Sequence, residues 1–296
     1  MPDETSEPEF KSESRARDVW DHLRKNPAAL FSMTVIALLA LLALAIYISG
    51  LLGFRILPYD PNVSDLTQAF LPPSGEHWFG TDQLGRDIFC RILDGTKISL
   101  SVGISAVTIS IAAGTILGAL AGYFGGWGDN LIMRCMDIMF AVPSILLAIT
   151  FMAAMGRGID KAVFAIGIVS IPEYARIVRG NVLFIKENDF VRAARVSGAD
   201  HLRIIFVHIL PNIISPIIVR ATLGISTAVL DTAALGFLGL GVQPPFAEWG
   251  DMLGRSRGYI FSSPYTLIFP GLAITLTVLA FNLLGDSLRD ALDPRK

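Results

Sequence analysis

Residues 98–128 form the stretch ISLSVGISAVTISIAAGTILGALAGYFGGWG, which runs for 31 positions without an Asp, Glu, Lys or Arg. A helix needs about 20 predominantly apolar residues to cross the hydrocarbon core of a bilayer. This stretch is therefore long enough to span a membrane. Three more charge-free runs lie elsewhere in the chain, at residues 26–54, 138–156 and 258–285. Together the four runs predict four membrane-spanning helices.

Two further spans are predicted from stretches that charged residues interrupt. Residues 162–172 are free of charge for only 11 positions. Residues 211–240 are long enough but contain Arg220 and Asp231. Adding these two stretches, we predict an all-α polytopic membrane protein with six transmembrane helices.

Composition excludes several classes of function. Hydrophobic residues make up 52% of the 296 positions and charged residues only 17%, too little charge to cover a soluble protein of this size. The net charge of −2 argues against a nucleic-acid partner, which would require a basic surface. The sequence contains no G-x-x-x-x-G-K-[ST], H-E-x-x-H or G-x-S-x-G motif, and its four histidines are scattered. We therefore expect no catalytic residue, no metal site and no cofactor bound by this chain.

The distribution of Lys and Arg predicts the orientation. With six spans, 15 of the 24 basic residues fall on the side of the N-terminus and eight fall on the other side. Such an excess marks the cytoplasmic side of a membrane protein. We therefore predict a multi-pass protein of the inner (plasma) membrane with both termini in the cytoplasm. Cys90 and Cys135 would then lie on opposite sides, where they cannot form a disulfide.

This topology divides the chain into five predicted segments. They are a cytoplasmic tail with a short helix, a first transmembrane helix, an extracytoplasmic loop, a core transmembrane domain and a second cytoplasmic tail, at residues 1–26, 27–54, 55–97, 98–285 and 286–296.

The second predicted span carries glycine at every fourth position. Gly114, Gly118 and Gly122 are followed in the same register by Gly126. Such a strip allows the backbone of another helix to approach closely. Packing within this chain and packing against a partner or sliding helix are both compatible with the pattern.

The predicted cytoplasmic loop 182–208 contains the signals of a helix pair. Asn188 or Asp189 can cap a first helix, and Gly198 can end it. A second short helix fits residues 200–208. By the residues alone, this pair is either an inert surface loop or a docking element.

The same loop resembles the cytoplasmic signature of bacterial ABC-importer permeases, which is a Glu-Ala-Ala triplet, a following Gly and an Ile-x-Leu-Pro ending. The positions that match in register are Ala193, Ala194, Gly198, Leu210 and Pro211. Arg192 stands where the family usually has Glu, and His208 stands where it has Ile. The resemblance implies that residues 189–207 couple the membrane domain to an ATPase subunit.

Three more motifs resemble the dipeptide/oligopeptide permease subfamily, in particular its C-type subunit. They are HWFGTDQLGRD at 77–87, GFLGLG at 236–241 with the following Glu248-Trp249-Gly250, and FNLLGDSLRDALDP at 281–294. The resemblance implies the ABC type I importer permease fold and import of di- or oligopeptides. Permeases for nickel or glutathione share these motifs and are alternatives. A secondary carrier is a further alternative, although no internal repeat is visible.

The resemblance also implies partners. A homologous permease would form a heterodimer with this chain and share the translocation path. Two ATPase subunits would bind ATP and Mg, and an extracytoplasmic substrate-binding protein would deliver the peptide. Nucleic acid is not among the expected partners.

Charges inside the predicted spans are candidates for the path. Arg220 and Asp231 share a helix face but lie roughly 16 Å apart along the axis, so they cannot pair with each other. Ionisable residues in spans usually face protein or water. Lining the path and pairing with the partner permease both remain open. Glu173 and Arg176 have the i, i+3 spacing of a structural ion pair.

Overall fold

The computed structural model describes residues 15–292, which fold into a helical bundle. Its helices are α1 Arg15–Lys25, α2 Pro27–Leu52, α3 Ile88–Phe124, α4 Gly126–Phe140, α5 Ser144–Met155, α6 Ile159–Ile185, α7 Asp189–Val196, α8 His201–Phe237, α9 Trp249–Ser256 and α10 Tyr265–Leu292. Over the same range no sheet is formed, and a single isolated bridge joins Thr81 to Asp87. The start of the predicted N-terminal tail and the last four residues of the predicted C-terminal tail lie outside the described residues.

The first and last membrane helices meet on one side of the bundle. The side chain of Asn26 caps α2 by accepting the backbone N–H of Ala28 at 2.9 Å, and Pro27 occupies the first helical position. The Asn26 amide also donates to the Ser287 hydroxyl near the end of α10 at 3.4 Å. We call this side the N-terminal side, and we call the side of the loops 53–87 and 238–264 the opposite side.

Helix α3 begins at Ile88, ten residues earlier than the sequence predicts. The side chain of Asp87 caps it by accepting a backbone N–H of the first turn at 2.7 Å. The predicted helix is shorter because charged residues precede Ile98. These charges find partners within the protein; Asp94, for example, pairs with Lys97 at 2.5 Å. The predicted loop 55–97 is therefore too long by about three turns of helix.

The third predicted span, residues 138–156, is not one straight helix. Helices α4 and α5 meet there at an angle of 93°. Pro143 lies at the bend, where its missing N–H and its ring interrupt a continuous helix. Gly125 and Gly126, with φ of 67° and 62°, form the turn that leads into α4.

Four helices are long and apolar enough to cross a membrane, namely α2, α3, α8 and α10, and the bent pair α4–α5 is a fifth candidate. Helix α6 completes the predicted six. It has 27 residues and is about 40 Å long, but its five charged residues keep it from qualifying by composition. It packs along α3, and this contact rather than apolar composition identifies it as part of the bundle.

The glycine strip of α3 packs within the chain, against α6. A Cβ at Gly114 would lie 2.5 Å from Cβ of Tyr174, and one at Gly122 would lie 2.9 Å from Cβ of Val182. A Cβ at Gly118 would overlap the backbone of α6. Of the two alternatives for this strip, packing within the chain is confirmed. Gly126 does not belong to the strip, because it lies in α4 with no neighbour within 4 Å of its Cβ position.

Replacing Gly118 by Ala should therefore destabilise the protein. Forcing the two helices apart should lower the free energy of unfolding by about 1–3 kcal/mol, the usual cost of overpacking. The matched control is Gly50→Ala in α2, where a Cβ meets no atom within 4 Å. That variant should be neutral or slightly stabilising, because Ala favours helix over Gly. Thermal unfolding in detergent compares them, and equal midpoints for both variants would contradict the packing described here.

Candidate functional site

The predicted helix pair is present on the N-terminal side. Helix α7 follows Asn188, whose carbonyl oxygen accepts the N–H of Val191 at 3.0 Å. Gly198 ends the turn after α7 with φ of 82°, a conformation that favours glycine. The carboxylate of Asp200 then caps α8 by accepting the N–H of Arg203 at 3.2 Å. The prediction of a first helix that stops at Gly198 is confirmed.

The second helix of the pair differs from the prediction, because it does not end at His208. Helix α8 continues through a π-type segment, Ile204–Ile209, and a 3₁₀ turn, Leu210–Ile213, into the membrane-spanning part. Pro211 lacks the N–H that a regular α-turn would use, and the helix passes it by changing its winding. The second helix of the pair and the membrane span therefore form one continuous helix, His201–Phe237.

The inner face of the helix pair is fixed to the bundle. Val191 of α7 and Ile204 and Ile209 of α8 are buried in one apolar cluster with Val178 and Val182 of α6. A displacement of the pair therefore acts directly on the helices beneath it.

The outer face carries the residues of the family signature. Arg192, Ala193, Gly198 and Pro211 are exposed, whereas Ala194, His208 and Leu210 are half-buried. Arg192, which replaces the usual Glu, pairs with Glu187 at 3.2 Å. An acidic group is thus still present at this surface, two residues before α7.

The three charges in the second half of α6 pair with other helices, not with one another. Arg179 makes two hydrogen bonds to Asp129 of α4, at 2.5 and 2.7 Å. Arg176 pairs with Asp137 of α4 at 2.7 Å, and Glu173 pairs with Arg220 of α8. The predicted Glu173–Arg176 pair is therefore wrong, because each of these residues has a partner on a neighbouring helix.

Arg220 lies at an open cavity near the N-terminal side. The cavity has a volume of about 500 Å³, and its lining includes Ser215, Val219 and Arg289 beside Arg220 itself. The guanidinium makes the ion pair with Glu173, while its Nε has no hydrogen-bond partner within the described residues. The Arg220 side chain is thus fixed by its ion pair with Glu173 and also contributes to the wall of the cavity.

Asp231 lies elsewhere on α8 and does not join Arg220. It is half-buried, and within residues 15–292 it forms no ion pair. The structure therefore does not bring the two predicted path residues together, in agreement with their spacing along the helix.

Two of the motifs, at residues 77–87 and 248–250, meet in a polar cluster on the opposite side. Asp82 accepts hydrogen bonds from Arg86 Nε and Nη2 at 2.8 and 2.7 Å, and both residues are buried. Arg91 is 1% exposed, with its Nε 3.7 Å from Asp82. Trp249 is also buried, and its indole N–H donates to the Ile92 carbonyl at 3.0 Å. The cluster joins the start of α3 to α9.

Glu248 caps α9 beside the end of α8. Its carboxylate accepts the N–H groups of Gly250 and Asp251 at 2.8 Å each. Burial raises the pKa of Glu248 to about 7, although the two hydrogen bonds favour the ionised form. Gly236 makes room for this carboxylate, since a Cβ there would overlap it.

Sequence reasoning missed the acidic partners on α4. Asp129 and Asp137 lie 50 and 39 positions before Arg179 and Arg176. An available signal was the presence of two acids in the predicted loop between residues 128 and 138 and of two arginines at the end of the predicted fourth span. Within the part of the chain that the structure describes, no three His, Cys, Asp or Glu residues are grouped to hold a metal ion.

Comparison with protein families identifies two matching models. Residues 114–296 match the binding-protein-dependent transport system inner membrane component, and residues 14–73 match the N-terminal transmembrane domain of oligopeptide transport permease C. A dipeptide transport system permease protein of Alkalihalophilus pseudofirmus is 48% identical over 289 residues, covering 98% of this chain and 93% of the relative. A glutathione transport system permease protein of Pectobacterium atrosepticum is 48% identical over 281 residues, with coverages of 94% and 91%.

The fold also resembles solved transporter structures. An inward-facing structure of the MetNI methionine ABC transporter superposes with a TM-score of 0.58 at 19% identity, over 70% of this chain and 98% of that one. An amino acid ABC transporter gives a TM-score of 0.51 at 17% identity, over 66% and 91%. The predicted fold of an ABC-importer permease is thereby confirmed.

Proposed function

The chain belongs to the family of binding-protein-dependent transport system inner membrane components, and on that premise we propose that it is the C-type permease subunit of an ATP-driven importer of di- or oligopeptides. One observation carries the proposal: the helix pair presents the signature residues on an open face while its inner face is buried against the bundle. Relatives of equal identity are named for dipeptides and for glutathione. Glutathione is itself a tripeptide, so a glutathione importer is the second candidate.

The proposed complex contains four kinds of subunit. This chain pairs with a homologous permease as a heterodimer, and the translocation path runs between them. Two ATPase subunits bind ATP and Mg and hydrolyse the ATP, because this chain has no phosphate-binding loop of its own. An extracytoplasmic substrate-binding protein delivers the peptide.

We place the N-terminal side in the cytoplasm, because most of the basic residues lie there. The two native cysteines do not form a matched pair of reporters for this orientation, because Cys90 is buried and only Cys135 is exposed to a reagent. In a background from which both native cysteines are removed, Ser74→Cys and Ser197→Cys are made as two separate variants. Each then carries a single exposed thiol, one on each side of the membrane. An impermeant maleimide on intact cells should label Ser74→Cys at once and Ser197→Cys only after permeabilisation. The reverse pattern would overturn the orientation.

The docking role predicts a steric effect at Ala193, which is exposed on the outer face of the pair. Ala193→Trp should lower ATP hydrolysis that is stimulated by the binding protein by about tenfold, because a bulky ring keeps the ATPase subunit from close contact. The matched control, Ala193→Ser, keeps the side chain small and should remain active. Both activities are normalised to the amount of assembled membrane domain. Wild-type stimulation in the Trp variant would indicate an inert surface loop.

We further propose that Arg220 lines the path, with Glu173 as its counter-ion, and that Asp231 contributes separately. Both members of the Arg220–Glu173 pair are partly exposed, at 21% and 40% of their side chains. The open cavity beside Arg220 supports contact with cargo. A peptide with charged ends can interact with either member of such a pair.

The path role predicts opposite effects of the two partners. Arg220→Gln should lower uptake of an acidic peptide relative to a basic one, and Glu173→Gln should do the reverse, each by about three- to tenfold for one lost charge interaction. The matched control is Arg176→Gln, which breaks the Arg176–Asp137 pair and should leave the ratio unchanged. Uptake is measured per assembled complex. Equal losses for both peptides in both variants would mean that the pair only stabilises the bundle.

A further inference from the structure

The last turn of α3 is hydrogen-bonded to residues on both sides of α7. The Tyr123 hydroxyl and Nδ1 of His201, at the start of α8, share a hydrogen bond of 2.8 Å. Nζ of Lys186, shortly before α7, donates to the Gly122 carbonyl at 2.8 Å. The last carbonyl groups of a helix have no partner inside the helix, and Lys186 satisfies one of them. The helix pair therefore has a polar connection to α3 before α7 and another after it.

Ring contacts surround the Tyr123–His201 hydrogen bond. The imidazole of His201 meets the rings of Tyr123 and Phe124 edge to face, with centroid distances of 5.6 and 5.7 Å. The guanidinium of Arg195, on α7, lies 6.0 Å from the centre of the Tyr123 ring. Tyr123 is buried, whereas His201 is exposed. The hydrogen bond thus joins a fixed group inside the bundle to a group on the open surface of the pair.

Helix α3 is suited to pass on a displacement that it receives at this turn. It has 37 residues without a break, about 55 Å in length. Its glycine strip packs α6 so closely that the two helices must move as one unit. At its far end lies the polar cluster around Asp82, and α6 carries Glu173, the partner of Arg220. A shift at Tyr123 therefore reaches both the opposite side and the cavity.

On the basis of the proposed function, we propose that Tyr123 and His201 form the contact through which the helix pair, when moved by an ATPase subunit, displaces the α3–α6 unit. Tyr123 is a positioning residue in this scheme, since it touches neither ATP nor cargo. Its hydroxyl makes a polar connection to the start of α8, whose geometry depends on where that start lies.

Tyr123→Phe tests the contact, because it removes the hydroxyl and keeps the ring. In the complete reconstituted complex, we expect normal assembly and thermal stability. ATP hydrolysis stimulated by the loaded binding protein should fall about fivefold, the factor that corresponds to one neutral hydrogen bond, and fewer peptides should be imported per ATP. His201→Ala should have the same effect, and the double variant should be no worse than either single variant. His201→Asn places a polar atom near the position of Nδ1 and should retain most of the stimulation.

The matched control is Tyr47→Phe in α2, where the hydroxyl makes no hydrogen bond within the described residues and the side chain is exposed. This variant should behave as the wild type. Wild-type stimulation and import per ATP in Tyr123→Phe and His201→Ala would overturn the inference. A loss of assembled complex with an unchanged import per ATP would overturn it too, because the contact would then only stabilise the fold. Failure of the unaltered complex to couple ATP hydrolysis to uptake would instead contradict the proposed function.

Discussion

A charge inside the apolar bundle needs a protein partner or a water-filled cavity, because lipid solvates neither a guanidinium nor a carboxylate. Helix α6 meets this constraint with three ion pairs to two helices. Arg179 and Arg176 reach α4, while Glu173 reaches Arg220 on α8. Helix α6, which carries too many charges to qualify as a span by composition, is therefore held by directed bonds to its neighbours, and these bonds restrict its rotation and its depth in the bundle.

The glycine strip of α3 supplies the complementary, apolar half of this arrangement. Without side chains at Gly114, Gly118 and Gly122, the backbones of α3 and α6 approach closely over several turns. Such close packing resists sliding, because any shift brings backbone atoms into overlap. By contrast, α2 exposes most of its apolar surface and packs less closely. The bundle thus combines a rigid α3–α6 unit with a more loosely attached first helix.

The sequence predicted where helices exist more reliably than where they begin or what they contact. Runs without charge located α2 and α10, since only helices can span lipid with every backbone group satisfied. The same rule placed the start of α3 too late, because Asp94 and Lys97 satisfy each other inside the protein. It also missed the bend at Pro143, which lies inside an apolar run.

Contacts between distant segments lay beyond sequence reasoning. Glu173 was paired with its neighbour Arg176 because local spacing was the only guide, whereas its partner Arg220 is far along the chain. Tyr123 and His201 are 78 positions apart, and neither residue type marks the contact. The signature loop was located because its motif is local: its first helix and its stop at Gly198 depend on adjacent residues. The continuation of α8 past Pro211 could not be predicted in the same way, because it depends on the tertiary packing of Ile204 and Ile209.

The two ends of α3 are held by interactions of different strength, and this difference assigns them different roles. On the opposite side, Arg91 of α3 is buried beside the Asp82–Arg86 ion pair, and breaking such a buried pair by removing one partner typically costs about 3–5 kcal/mol. On the N-terminal side, Tyr123 and His201 share one partly buried hydrogen bond, worth about 1 kcal/mol net. A single hydrogen bond can adjust its geometry when the helix pair moves, whereas a buried charge would need a new partner in every state. On the basis of the proposed function, the α3–α6 unit therefore receives the displacement of the helix pair at its more weakly held end, while a buried ion pair lies at its other end.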